Sequence, residues 1–414
     1  MGESQELGVR RDPYAALRFR DFRLLIAGRF VAQVGEMMVS VGVGWELYER
    51  THDAMALGLV GLVQVVPVIL LSVPGGYIAD RYNRKWLTLI SQVVLILCSL
   101  ALTVISLTNG SLPVLYGILA LIGVARAFNN PAEGALTPQT VPPEYYFSAA
   151  TWSSSVWQMS AILGPALGGF LIALANSAAL VYGVNVIAGT VLVCSLLLLR
   201  SKQKDYVKTG ETPLQSVRAG ISFVRRSQVI FASISLDMFA VLFGGATFLL
   251  PIFAKDVLHT DAVGLGILRA APSIGALVMA VSIARRRPFQ HAGRTLLLAV
   301  AGFGIATIIF GLSTSFWLSV AMLFALGALD NISVVIRHTL VLTQTPDAMR
   351  GRVGAVNSIF IGASNELGGF ESGVMAALLG PVGAVVVGGI GTLIVVGTIS
   401  RLAPHLRRYG ALGT

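Results

Sequence analysis

The chain has 414 residues, 55% of them hydrophobic and only 12% charged. A soluble domain carries about 25% charged residues, so this composition excludes an ordinary soluble protein and points to lipid as the solvent. The net charge of +10 could suit nucleic acid, but its placement along the chain excludes that partner as well.

Twelve apolar runs follow one another at roughly 22–48, 56–79, 86–107, 111–135, 145–174, 178–199, 229–254, 262–284, 294–312, 315–341, 348–376 and 380–400. A helix of about 20 residues crosses a hydrocarbon slab of ~30 Å at 1.5 Å per residue. Backbone facing lipid must bond to itself, so the runs are expected to be helices. The expected fold is an all-α integral membrane protein of twelve transmembrane helices in two pseudo-symmetric six-helix bundles. Residues 1–199 form the first bundle, 200–228 a cytoplasmic linker and 229–414 the second. Within the linker, Leu214, Val217, Ile221 and Val224 recur at helical spacing beside Arg218, Arg225 and Arg226. This reads as an amphipathic helix on the inner leaflet.

With the N-terminus placed inside, twenty-four of the thirty Lys and Arg fall on inside segments, two fall outside (Arg50 and Lys255) and four lie within helices. That is the positive-inside pattern. It predicts a multi-pass protein of the cell inner membrane with both termini cytoplasmic. The polar N-terminus and the lack of a small-residue cleavage pattern after the first run speak against a removed signal peptide. Cys98 and Cys194 both fall in apolar runs and offer neither a disulfide framework nor a metal set. No cofactor and no metal site are expected.

Ionisable side chains at bilayer depth cost at least ~2.5 kcal/mol each, so they face a bundle interior or a wet cavity. The first run carries Arg29, Gln33, Glu36 and Ser40, spaced as one stripe. The fourth carries Arg126, Asn129, Asn130 and Glu133; the seventh, Ser233 and Asp237; the eighth, Arg269. The tenth adds Asp330, Ser333 and Arg337, and the eleventh adds Asn365, Glu366 and Glu371. One-sided polar faces on apolar helices mean that those faces see water or other polar groups. We assign Arg29, Gln33, Glu36, Arg126, Asp237, Asp330, Arg337 and Glu366 to substrate and proton coupling. Arg269 and Glu371 can equally be structural partners for the opposite half. Arg126 and Glu133, seven residues apart, are expected to pair with other helices rather than with each other.

The halves repeat weakly. "LTPQTVPPEYY" (136–146) resembles "LTQTPDAMRGR" (342–352), and an offset of 204 residues pairs Gly164 with Gly368, Gly169 with Gly373, Arg126 with Asp330 and Glu133 with Arg337. Two six-helix halves with a midplane site between them are a common plan for secondary transporters.

Two motifs carry a family resemblance. "GGYIADRYNRK" (75–85) closes the second run with Gly76, Asp80, Arg81, Arg84 and Lys85. A small residue allows a close helix approach, and an acid at a helix end can accept bonds from a neighbouring helix or an arginine. "SAILGPALGGF" (160–170) sets Gly164, Pro165, Gly168 and Gly169 inside the fifth run. Neighbouring helices can satisfy the groups that a proline frees in lipid. Both resemble signatures of the major facilitator superfamily: the loop between its second and third helices, and its antiporter motif in helix 5, with Ser160 in place of the first glycine. "IRHTLVLTQTPDAMRGRVGAV" (336–356) and "GASNELGGFESG" (362–373) resemble its bacterial drug and metabolite antiporter branch, which includes the enterobactin exporter group. The resemblance implies that Asp80 helps latch the halves together and that helix 5 packs between them. It also implies that helices 1, 4, 7 and 10 line a central cavity, and that an arginine in helix 4, here Arg126, serves proton coupling.

The expected function is a secondary active exporter of a small organic molecule, such as a siderophore, drug or metabolite, working by alternating access in exchange for protons. Its partners are that substrate, protons and the bilayer, and a monomer is expected. The alternatives are a lipid or lysolipid transporter and, below it, a ferroportin-like metal-ion exporter, which the loop and helix-end placement of all five histidines disfavours. The chain holds no phosphate-binding loop for direct ATP use. An enzyme is not expected, because no Ser-His pair or metal triad falls at bilayer depth.

Overall fold

The computed structural model describes residues 14–200, 213–285 and 289–410. It is helical throughout, and no strand occurs among the described residues. The first six membrane helices are α1 (Arg20–Thr51), α2 (Ala54–Arg81), α3 (Arg84–Thr108), α4 (Leu112–Leu136), α5 (Tyr146–Ala175) and α6 (Ala179–Leu198). α7 (Pro213–Arg226) follows, and then α8 (Gln228–Phe243), α9 (Ala262–Ala284), α10 (Ala292–Leu312), α11 (Phe316–Gln344), α12 (Asp347–Leu402) and the short α13 (Pro404–Arg407). Local chemistry marks the ends. Asp53, Asn83, Ser227 and Asp261 cap helix N-termini through their side chains. His52, Asn109 and Asn176 close helices in the left-handed conformation.

Eleven helical segments among the described residues are long and apolar enough to cross a membrane, and the last of them, Phe360–Leu402, is 43 residues long. A straight helix of that length would measure about 65 Å, twice the slab. It breaks instead at Gly380, whose φ of 74° is one that glycine adopts freely, with Pro381 next. The segment therefore supplies two crossings, in keeping with the twelve expected. The seventh run differs from its expectation of one helix over 229–254. α8 stops at Phe243, and 3-10, α and π turns carry the chain from Gly245 to Val257. Only glycine fits where α8 ends: at Gly244 a Cβ would lie 2.6 Å from both the Ala240 carbonyl and the Phe303 ring.

α1 packs on α5 and α6, α2 on α4, and α3 on α4 and α6; in the second half α9 and α10 pack on α11, and α8 and α10 on α12. Two crossed pairs join the halves, α5 with α9 and α2 with α12. Small residues make the seams. A Cβ at Gly58 would fall 2.9 Å from Gly373 Cα, and one at Gly169 would fall 3.0 Å from Gly266 Cα. One apolar core crosses both halves, gathering Met38, Tyr48 and Leu57 with Leu250, Phe253 and Leu265. It sits toward the face opposite the chain termini. There Lys255 Nζ meets Glu49 Oε2 at 2.6 Å and the Tyr48 hydroxyl donates to Asp256. Nearer the termini each half keeps separate clusters, around Phe22 and Leu25 in one and around Leu296 and Val353 in the other. The halves thus close on the terminus-distal face.

The linker expectation falls partly outside the described residues: 201–212 are not described, nor are the side chains of Leu214 and Val217. The remainder is amphipathic. Val224 is buried against Val353 and Val356 of α12, and Arg218, Arg225 and Arg226 are exposed, but Ile221 of the expected apolar face is exposed as well.

Candidate functional site

Among the described residues, two ion-pair networks lie at bilayer depth, one in each half. In the first half, α1 and α4 face each other. Arg29 Nε lies 2.7 Å from Glu133 Oε1, and the Asn129 amide donates to Glu133 Oε2 at 3.2 Å. Arg126 Nη2 lies 3.7 Å from Glu36 Oε2, and Arg126 Nη1 donates to Gln64 Oε1 of α2 at 2.9 Å. Arg126 and Glu133 therefore pair with α1 and not with each other, as their spacing suggests. Gln33 lies on the same stripe, with Oε1 buried and no hydrogen-bond partner.

In the second half, Arg337 Nη1 of α11 meets Asp237 Oδ2 of α8 at 2.6 Å. Arg337 Nε donates to Ser333 Oγ at 3.2 Å. Exposure separates the two networks. The Asp237 and Arg337 side chains are 7% and 8% exposed, whereas Glu36 and Arg126 are 31% and 32% exposed.

Arg126 lines a cavity of ≈ 360 Å³ between the halves. Ser40, Gln64, Arg126 and Trp157 come from the first half; Phe248, Arg269 and Glu366 come from the second. Most of the remaining wall is aliphatic: Val39, Val43, Leu57, Val60, Leu119, Ile122 and Leu250. An adjoining void of ≈ 180 Å³ shares Thr247 and Phe248 and carries Asp330 and Asn365. A third, of ≈ 10 Å³, lies between Asp237, Asp330 and Ser333.

The structure thus brings Arg126 and Glu366 onto one cavity, with Glu36 paired behind Arg126 and Asp330 in the next chamber. Arg29, Asp237 and Arg337 do not reach the central cavity; each is held in an ion pair instead. Sequence reading left Arg269 outside the assigned set, though it borders the cavity. The available signal was its solitude: the eighth run carries no carboxylate of its own.

The two motifs come out differently. In α5, Gly164 and Gly168 receive α1 at Met37 and Met38, Gly169 receives α9, and Pro165 lines the cavity. At the loop motif the expected close approach at Gly76 is corrected. A Cβ there would meet nothing within 4 Å, whereas one at Gly75 would strike the Ala127 carbonyl of α4. The close packing is one residue earlier because that is the face α2 turns to α4. Arg84 Nη1 donates to the Ala135 carbonyl at 3.3 Å and Lys85 Nζ to the Leu199 carbonyl at 2.8 Å, so these two bind helix ends of their own half. Arg81 stacks on the Tyr77 ring at 4.2 Å. The side chain of Asp80 lies outside those described.

Comparison with known proteins places this architecture. The family model of transmembrane secretion effectors, within the major facilitator superfamily, matches residues 11–411. The enterobactin exporter EntS of Citrobacter koseri is 28% identical over 399 residues, covering 94% of this chain and 93% of that protein. EntS of Escherichia coli is 27% identical over the same coverage. Among solved structures, a POT family transporter in complex with 5-aminolevulinic acid superposes with a TM-score of 0.74 at 12% identity, covering 94% of this chain and 97% of that one. A bacterial homologue of the iron transporter ferroportin in an inward-facing state superposes at 0.72 with 17% identity, covering 94% and 99%. At such identities these structures share the fold alone. The chain belongs to the transmembrane secretion effector family and is a multi-pass membrane transporter, not an enzyme.

Proposed function

From this membership we propose that the protein is a secondary active exporter of a small organic molecule, exchanging its substrate for protons across the inner membrane. The observation that carries the reading is the ≈ 360 Å³ cavity on the seam between the halves, with Arg126 at its wall and Glu36 3.7 Å behind. A cavity of this size suits a drug-sized molecule. Residues 1–199 and 229–414 act as the two rocking units, joined by 200–228, and the protein works as a monomer. The excess of basic residues on the terminal side puts both termini in the cytoplasm. The closed face is then external, and the cavity communicates with the inside. The names of its relatives make siderophores a natural first class to test.

A carboxylate that carries protons must bind one on one side and release it on the other, so its surroundings must change between states. Glu366 at the cavity wall and the partly exposed Glu36 behind it both have Arg126 as a neighbour, and they fill this role in our reading. Asp330 lies one chamber away. The sealed Asp237–Arg337 pair and the Arg29–Glu133 pair hold the helices that carry them. Asp80, Arg81, Arg84 and Lys85 serve the opposite state, in which the terminal face closes.

The test uses a host strain lacking this gene and complemented with wild type or with Arg126→Ala. Metabolites in medium and cytoplasm are compared with and without a proton uncoupler. A compound that reaches the medium only with wild type and an intact proton gradient is the expected result. A changed lipid profile with no exported compound would move the assignment to lipid transport.

A further inference from the structure

Arg269 differs from every other cation at bilayer depth. Arg29, Arg126 and Arg337 each have a carboxylate within 3.7 Å. Arg269 has none at ion-pair distance among the described residues. Its Nη1 donates to Ser40 Oγ of the opposite half at 2.8 Å, and its Nε is buried without an acceptor. A guanidinium has five N–H donors in a planar fork that matches a carboxylate. The fold also leaves room for it, because a Cβ on Gly44 would lie 3.3 Å from Arg269 Nη2. An arginine at this depth is costly unless something compensates its charge.

The cavity supplies the rest. Arg269 borders the ≈ 360 Å³ space together with the aromatic faces of Trp157 and Phe248. The other cation on that wall, Arg126, already has Glu36 and Gln64. We propose that Arg269 is the anion anchor of the transport site: the cavity takes an amphipathic organic anion, its acidic group on Arg269 and its apolar body against the aromatic wall. This rests on the export reading above and names the class of its substrate. Because Arg269 and Ser40 belong to opposite halves, an anion bound there also touches both rocking units.

The test is equilibrium binding to the purified full chain in proteoliposomes, with fluorescein and rhodamine 123 as probes. The two dyes share a xanthene body and carry opposite charge. We expect wild type to bind fluorescein about tenfold or more tighter than rhodamine 123, and Arg269→Gln to lose about tenfold of the fluorescein affinity, the size of a lost charge-assisted bond. Arg269→Lys keeps the charge and is expected to retain part of the affinity. Ser40→Ala removes only the hydroxyl and is expected to lose about two- to threefold, as for one neutral hydrogen bond. Preference for rhodamine 123, binding of neither dye, or unchanged fluorescein affinity in Arg269→Gln would overturn the assignment. So would equal losses in Ser40→Ala and Arg269→Gln, which would make Arg269 a brace between halves. The host-cell export comparison scores the transport reading separately. A compound exported equally by wild type and Arg269→Gln leaves export standing and removes the anchor.

Discussion

The two halves solve one problem with opposite polarity. In the first, the base is on α1 and the acid on α4, Arg29 against Glu133; in the second, the acid is on α8 and the base on α11, Asp237 against Arg337. Glu133 and Arg337 are 204 residues apart but Arg29 and Asp237 are 208, so the repeat keeps the place of one partner, shifts the other by about one helical turn and exchanges the charges. Burial then separates the roles. The second-half pair is sealed at 7–8% exposure, while the first half adds a second pair, Arg126–Glu36, about a third exposed, with Arg126 at the cavity wall. A count of membrane charges treats these networks alike. In the proposed function, access to water makes one a brace and the other a working site.

The largest effect is expected where the seal is tightest. Asp237→Asn removes the carboxylate at ion-pair distance from the buried Arg337 guanidinium and should cost about 3–5 kcal/mol, whereas the double replacement Asp237→Leu with Arg337→Met, which also takes the cation away from Asp330, should cost less than that single change. Melting of the purified protein in detergent measures both. If the single variant melts like wild type, the pair is no brace.

Next come the seams. Gly266→Leu drives a side chain at the Pro165 carbonyl, which a mere Cβ would already approach to 2.7 Å. Overpacking of this kind costs about 1–3 kcal/mol, here against the closed distal face. Spin labels at 52 and 314, both exposed on that face, should move apart. An unchanged distance would mean that the seam does not hold the face shut.

Glu36→Gln should change stability by less than about 1 kcal/mol, because the pair is partly solvated, yet flatten the pH dependence of transport. Lys255→Ala should have the smallest effect. It breaks an ion pair with Glu49 whose partners are 31% and 41% exposed, worth about 0–1 kcal/mol and screened by salt. The expected sign is a slight gain of the distal-open population, read by the same labels at low ionic strength.

Much of this was legible in the sequence. Length and hydropathy marked the spans, and the offset of 204 paired glycines whose contacts agree. Gly164 meets its own half at Met37 and Gly368 does so at Leu242; Gly169 meets the opposite half at Gly266 and Gly373 does so at Gly58. Small residues announce a helix seam because nothing larger lets backbones approach so closely. The end of α8 at Gly244 was not legible, since the Phe303 ring that crowds this glycine belongs to another helix. Nor was the sorting of the stripes. Arg337 and Arg126 look equivalent on a helical wheel, and only the packing of six or more helices decides which one meets water. For Arg269 the sequence leaves open a place on the cavity or a partner in the other half; it borders the cavity and also reaches that half, at a hydroxyl rather than a carboxylate.

The most direct measurement compares the pH dependence of transport in proteoliposomes for Glu36→Gln and for the double variant Asp237→Leu with Arg337→Met, using the compound that the export comparison identifies. The account predicts a flat profile for Glu36→Gln and a wild-type profile for the double variant. A wild-type profile for Glu36→Gln, with pH dependence lost in the folded double variant, would contradict it and move the proton site to the second half.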